Sequence, residues 1–197
     1  MIEFWELFVA RLAEIGGAEA DAAMAAVLEA LTRIDPRLNC FVGNHDEGHD
    51  VIFTIEGHYE LGPLLDELLR IAPAMPTWRL IPLVDSSLLS GERNAALFPD
   101  DETGNLLMSM AAHGDLLWRE RPVDFVVSFP TQEAAAKFGI GLGDGLLVES
   151  QVQITRPMAL VHADLIAAEA ELGVLAAPSG GTVDGWSCFQ VSAAPTK

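Results

Sequence analysis

Hydrophobic residues recur along this chain at two periods, helical and alternating, and the switches between them divide it into elements. Ile2, Trp5, Phe8, Val9, Leu12 and Ile15 fall on one helical face, and Gly16-Gly17 is expected to stop that helix. An alanine-rich helix follows over about 19–34, with Met24, Val27, Leu28 and Leu31, so the start reads as an αα-hairpin. Asp35-Pro36 breaks the pattern. Residues 38–42 and 51–55 read as strands joined by a turn over 43–50. An apolar helical pattern over 64–71 starts near His58, with Pro63 in its first turn, where a missing N–H costs little. Pro73 and Pro76 end it, and 78–84 is a third strand whose Pro82 suggests an edge. The first half is therefore predicted as ααββαβ.

Residues 85–101 are polar and contain Gly91, Asn94 and Pro99, as a linker would. The expected division is a first domain at 1–85, a linker at 86–102 and a second domain at 103–197. The second half opens with a helix over 103–112 closed by Gly114, then a strand over 124–129. Thr131 is a good N-cap for a helix to Phe138, which Gly139, Gly141, Gly143 and Gly145 are expected to break. Residues 146–155 alternate as one half-exposed strand, Pro157 precedes a long helix over 159–177, and 186–191 close as a strand. Gly180-Gly181 and Asp184-Gly185 read as a tight turn before that strand, with Trp186 and Phe189 anchoring the chain end. This order, αβαβαβ, predicts an α/β (α+β) two-layer sandwich, a small sheet covered by helices, ferredoxin-like or related in the C-terminal half.

Charge narrows the partners. The chain has 29 acidic and 11 basic residues in 197, a net of −18, spread along its length. Such a surface repels phosphates, so direct nucleic-acid binding is not expected; a protein with a basic segment is. The first helix has an acidic polar face, unlike a membrane-surface helix, and no apolar run is long enough to span a bilayer. Cys40 and Cys188 lack metal spacing and read as free thiols of a reducing cytoplasm, with a single disulfide joining the halves as the alternative. The N-terminus has no basic stretch leading into an apolar run, so no signal peptide is expected.

Four segments together resemble the family of regulators of ribonuclease E activity B (RraB). They are Arg121-Pro122-Val123-Asp124-Phe125, Phe129-Pro130-Thr131 with Ala134-Ala135, Thr155-Arg156-Pro157-Met158, and Gly180-Gly181 through Asp184-Gly185-Trp186. The resemblance covers about 103–190. It implies a small cytoplasmic domain that binds ribonuclease E and inhibits RNA processing by protein contact, without catalysis. The first half, around residues 34–38 and 72–78, resembles a bacterial domain to which no function is attached.

Candidate chemistry is sparse. His45, Asp46, Glu47, His49 and Asp50, with His58 downstream, carry donor types that bind Zn²⁺, but they lie in a turn without an ordered HExxH helix, so a solvated loop is the simpler reading. His113 and His162 have no nucleophile in a recognised elbow, and Ser128 and Cys188 read as structural. The 139–145 glycines follow a helix and precede a strand, the reverse of a phosphate loop, and no Walker lysine follows. No cofactor and no catalytic residue is expected. Asp184 and Trp186 are the candidate protein-binding residues, although a turn acid and a core tryptophan are the simpler account of them; separately, a groove between the long helix and the sheet is one candidate contact surface, and the sequence does not select the face. Three functions are therefore weighed: a ribonuclease regulator, a binding or immunity-type module with another partner, and a metal-dependent enzyme using the His45–His58 region.

Overall fold

The first helix is held by an aromatic face. α1 (Ile2–Ile15) buries Phe4, Trp5, Phe8 and Ile15. The buried stripe is rotated from the expected one, because Phe4 turns inward while Ile2 and Val9 stay exposed. The computed structural model describes residues 1–15, 20–45, 48–142 and 145–192, with backbone alone at 45 and 142. Gly16 and Gly17, the expected stop, lie outside the described residues, as do Asp46, Glu47 and Gly143. α2 (Ala20–Thr32) buries Ala23, Val27 and Leu31.

Beneath these helices lies a sheet of β1 (Asn39–His45), β2 (Gly48–Thr54) and β3 (Trp78–Leu83). β1 and β2 are antiparallel, and β3 lies parallel beside β2, reached through α3 (Gly62–Arg70). Pro82 thus sits on an edge strand, and Pro63 lies at the start of α3, as the sequence predicts. The strands extend into the expected 43–50 turn, where Gly43 pairs with Asp50 and Asn44 with His49. Phe53 is fully buried, with ring centroids 6.1 Å from Phe4 and 5.9 Å from Trp5. The Trp5 indole N–H donates to the Leu68 carbonyl at 2.9 Å, tying α1 to α3. After β3, Asp85 is buried and accepts from the Ser87 N–H and the Asn94 amide, each at 2.9 Å, at the short helix α4 (Ser87–Ser90).

The chain forms two units. One comprises Met1–Ala95, Met108–Leu116 and the end from Ser192; the other comprises Ala96–Leu107 and Leu117–Val191. α5 (Glu102–Ala112) contributes residues to both. The second unit then runs β4 (Arg121–Ser128), α6 (Gln132–Leu142), β5 (Leu146–Val148), β6 (Gln151–Met158), α7 (His162–Ala176) and β7 (Thr182–Cys188). Its sheet has the order β5-β6-β4-β7 with every pair antiparallel. A βαββαβ run in this strand order is the ferredoxin-like arrangement, so the α+β sandwich expected for this half is the observed fold.

Alternation decides its faces. Val123, Phe125 and Val127 of β4 and Val152 and Ile154 of β6 are buried against Ala135 and Phe138 of α6 and Leu165, Ala168, Leu172 and Ala176 of α7. The Thr131 hydroxyl accepts the Ala134 N–H at 3.2 Å, the predicted cap.

Five local expectations are corrected. α6 continues through Gly139 and Gly141, because packing on β6 overrides glycine's poor helix propensity: a Cβ at Gly139 would lie 3.8 Å from Val152. The single strand over 146–155 is a hairpin turning at Glu149, whose φ of 55 is uncommon for glutamate and carries no glycine signal. Pro157 lies inside β6, opposite Pro122. Asp184-Gly185 is not a turn but a β-bulge: Val127 pairs with Val183 and Val126 with Gly185, leaving Asp184 as the extra residue. The turn before β7 is made by Gly180, at φ 70. Phe189 follows the last residue of β7 and is 89% exposed, so its ring does not anchor the chain end.

Replacing Phe53 by alanine is expected to lower unfolding stability by about 3–5 kcal/mol, since a ring contacting two others leaves a cavity. Denaturant titration checks this.

Candidate functional site

The metal candidates do not converge. His49 stacks on Trp78 with centroids 4.5 Å apart, and its Nδ1 faces the Asn44 side-chain oxygen at 2.6 Å. His58 lies past the opposite end of β2, with Nδ1 3.3 Å from Glu60. The strand between them, at about 3.3 Å per residue, keeps the two imidazoles too far apart for one ion. The His45 side chain lies outside the described residues, and among those described no group of three His, Cys, Asp or Glu side chains could hold a metal. His113 turns back onto the Ser109 carbonyl at 2.7 Å. Cys40 is buried, and that burial pushes its thiol up to about 12, which leaves it inert at neutral pH.

Asp184 and Trp186 are brought to one place. Both line a groove of about 460 Å³ in the second unit, with Asp101, Glu102, Thr103 and Leu106 from the start of α5, Ile166 and Glu169 from α7, and Val183 and Gly185 from β7. The elements are fixed around it by capping. The Asp101 carboxylate accepts the Gly104 N–H at 2.7 Å, and its carbonyl accepts the Asn105 N–H at 2.9 Å, so it is the N-cap of α5. His162, at the start of α7, places Nε2 2.8 and 3.1 Å from the two Asp101 carboxylate oxygens. The Trp186 indole N–H donates to the Thr103 hydroxyl at 3.3 Å, joining β7 to α5.

The two sequence candidates then separate by chemistry. Trp186, half-buried opposite Phe125, turns toward the helices and forms part of the groove wall. The Asp184 carboxylate is engaged on the sheet's open face, where it accepts from the Ser128 hydroxyl and from the Gln151 amide at 3.4 Å. The bulge makes this possible, and the φ of 137 at Gly185 explains the glycine.

The groove's remaining residues were not singled out from sequence. Leu106 and Ile166 are 44% and 40% exposed and give it an apolar floor. Ile166 lies off the α7 stripe of Leu165, Ala168, Leu172 and Ala176, and an apolar residue outside the buried stripe is the signal that would have found it. Glu169 shares the groove with Glu102. Burial first, and then the Glu102 charge, raise the Glu169 carboxyl above its ordinary value. No residue lining the groove is basic. Such a surface can hold a cationic, partly aliphatic segment; it presents no nucleophile aligned with a base.

Comparison with known proteins places this groove in a family context. Residues 100–188, somewhat under half of the chain, match the model of the family described as Regulator of ribonuclease activity B (RraB). No curated protein and no solved structure gives a significant match to the chain. No helix among the described residues is long and apolar enough to cross a membrane.

Gly104→Ala is expected to disorder the first turn of α5. A Cβ at 104 would lie 2.0 Å from the Pro99 carbonyl oxygen, so the backbone must move and the Asp101 cap is lost. A destabilisation of about 1–3 kcal/mol should follow in thermal or denaturant unfolding, with the Trp186 indole N–H resonance shifted.

Proposed function

We propose that this chain is a protein-binding regulator without chemistry of its own, restraining ribonuclease E-type RNA processing from the cytoplasm through the acidic groove of its C-terminal unit. One observation carries the reading. Within the segment that matches the ribonuclease regulators, exposed Leu106 and Ile166 and the edge of Trp186 lie among carboxylates, and no lysine or arginine lines the groove. A surface of that kind is suited to a basic segment of a protein partner, and the net charge of −18 opposes direct RNA contact. The reading needs no cofactor.

A binding or immunity-type module with a different partner is the second reading. It is favoured by the first 99 residues, which lie outside the matched segment and include their own sheet and aromatic core. The metal-enzyme reading has no such support, since His49 lies near the start of β2 and His58 past its far end.

Tag-free protein titrated calorimetrically with the host's ribonuclease E should bind saturably, more weakly as salt rises, and should slow RNA cleavage. Absence of binding at micromolar concentration and low salt rules the ribonuclease reading out. Metal analysis of the same preparation should find well under one equivalent.

A further inference from the structure

We propose that the groove takes a short protein segment in which one arginine or lysine, flanked by aliphatic side chains, sits between Glu102 and Glu169. The proposal rests on the protein-binding reading above and names the chemistry of the bound segment.

The four acidic residues that line the groove are not equivalent. Asp101 is occupied by His162 and by the α5 cap, and Asp184 by Ser128 and Gln151. Glu102 and Glu169 have no ion-pair partner among the described residues, and both line the groove, one from α5 and one from α7, near enough for the Glu102 charge to act on Glu169. Two like charges across a partly desolvated groove disfavour one another, and a cation placed between them removes that repulsion and adds two attractions. The floor selects which cation. A long side chain lays its methylenes on Leu106 and Ile166 while its charged end reaches the carboxylates, and Trp186 offers a ring for the cation to approach. A small hydrated ion would leave that apolar floor in water. Flanking aliphatic residues cover it.

The same geometry makes Glu169 unfavourable to the empty protein. A carboxyl raised in the folded state supports folding below its unfolded pKa and loses that support as pH rises through the folded pKa. At neutral pH, Glu169→Gln should therefore leave the thermal midpoint unchanged or raise it. A residue serving only the fold would not behave in this way.

The probe is an acetylated, amidated peptide with one central arginine and leucine and alanine on each side, titrated into the whole protein by calorimetry and by NMR of the Trp186 indole. Saturable binding is expected. It should weaken roughly fivefold or more in Glu102→Gln, in Glu169→Gln and in the peptide with glutamine in place of arginine. Glu133→Gln, exposed on α6 away from the groove, should bind as the parent does. No saturable binding at millimolar peptide, or equal binding by the glutamine peptide or by both groove variants, overturns the proposal. The ribonuclease titration separates the two readings. Ribonuclease bound equally well by both groove variants leaves the regulator and removes this groove. Peptide bound as expected, without ribonuclease binding, keeps the groove and removes the ribonuclease.

Discussion

Strand β4 buries Val123, Phe125 and Val127 completely, and that stripe places the rest of the C-terminal unit. A period of two leaves no latitude: a slip of one residue would turn all three aromatic and branched side chains to the open face. β6 and β7 must therefore pair on either side in fixed register, with Val152 and Ile154 facing the same way. The helices α6 and α7 cover the apolar face because the connections from β4 to β5 and from β6 to β7 carry them there. Polar pairs remain on the other face, where the Thr155 hydroxyl donates to Asp124 at 2.5 Å.

The groove forms where that scaffold ends. Its walls are a helix start, a helix side and a sheet edge, so three elements distant in sequence set its width. Its polar groups divide into those that hold the walls and those that do not. Asp101, His162 and Thr103 are engaged in fixing α5 to α7 and β7. Glu102 and Glu169 hold no ion pair among the described residues, and burial with the Glu102 charge raises the Glu169 carboxyl above its ordinary value.

Much of this architecture was legible in the chain itself. The aromatic period of Trp5 and Phe8, Pro63 at a helix start, Pro82 on an edge and the Thr131 cap each follow from local rules. The hairpin at Glu149 was not legible, because a turn made by a glutamate at positive φ leaves no compositional trace. The bulge was misread as a turn because Asp-Gly serves both. Trp186 and Asp184 stand out in the sequence by their motif, and both line the groove, yet the residues they meet there do not stand out. Thr103 is 83 residues from Trp186, and Glu102 and Glu169 meet only after the sheet has brought α5 and α7 together. Periodicity reports which side of an element is buried; it does not report which exposed residues from different elements become neighbours.

β7 holds one residue more than its ladder with β4 uses, since Val183 and Gly185 oppose adjacent positions. Facing in a strand normally ties every residue to the chain length before it, so gaining or losing one inverts all that follow. Between Val183 and Trp186 that tie is broken. A chain one residue shorter there would still set Trp186 opposite Phe125 on the groove side, while losing the acid that bridges Ser128 and Gln151. Length variation among sequences of this type therefore has a permitted address in the middle of a strand, where insertions and deletions are ordinarily excluded.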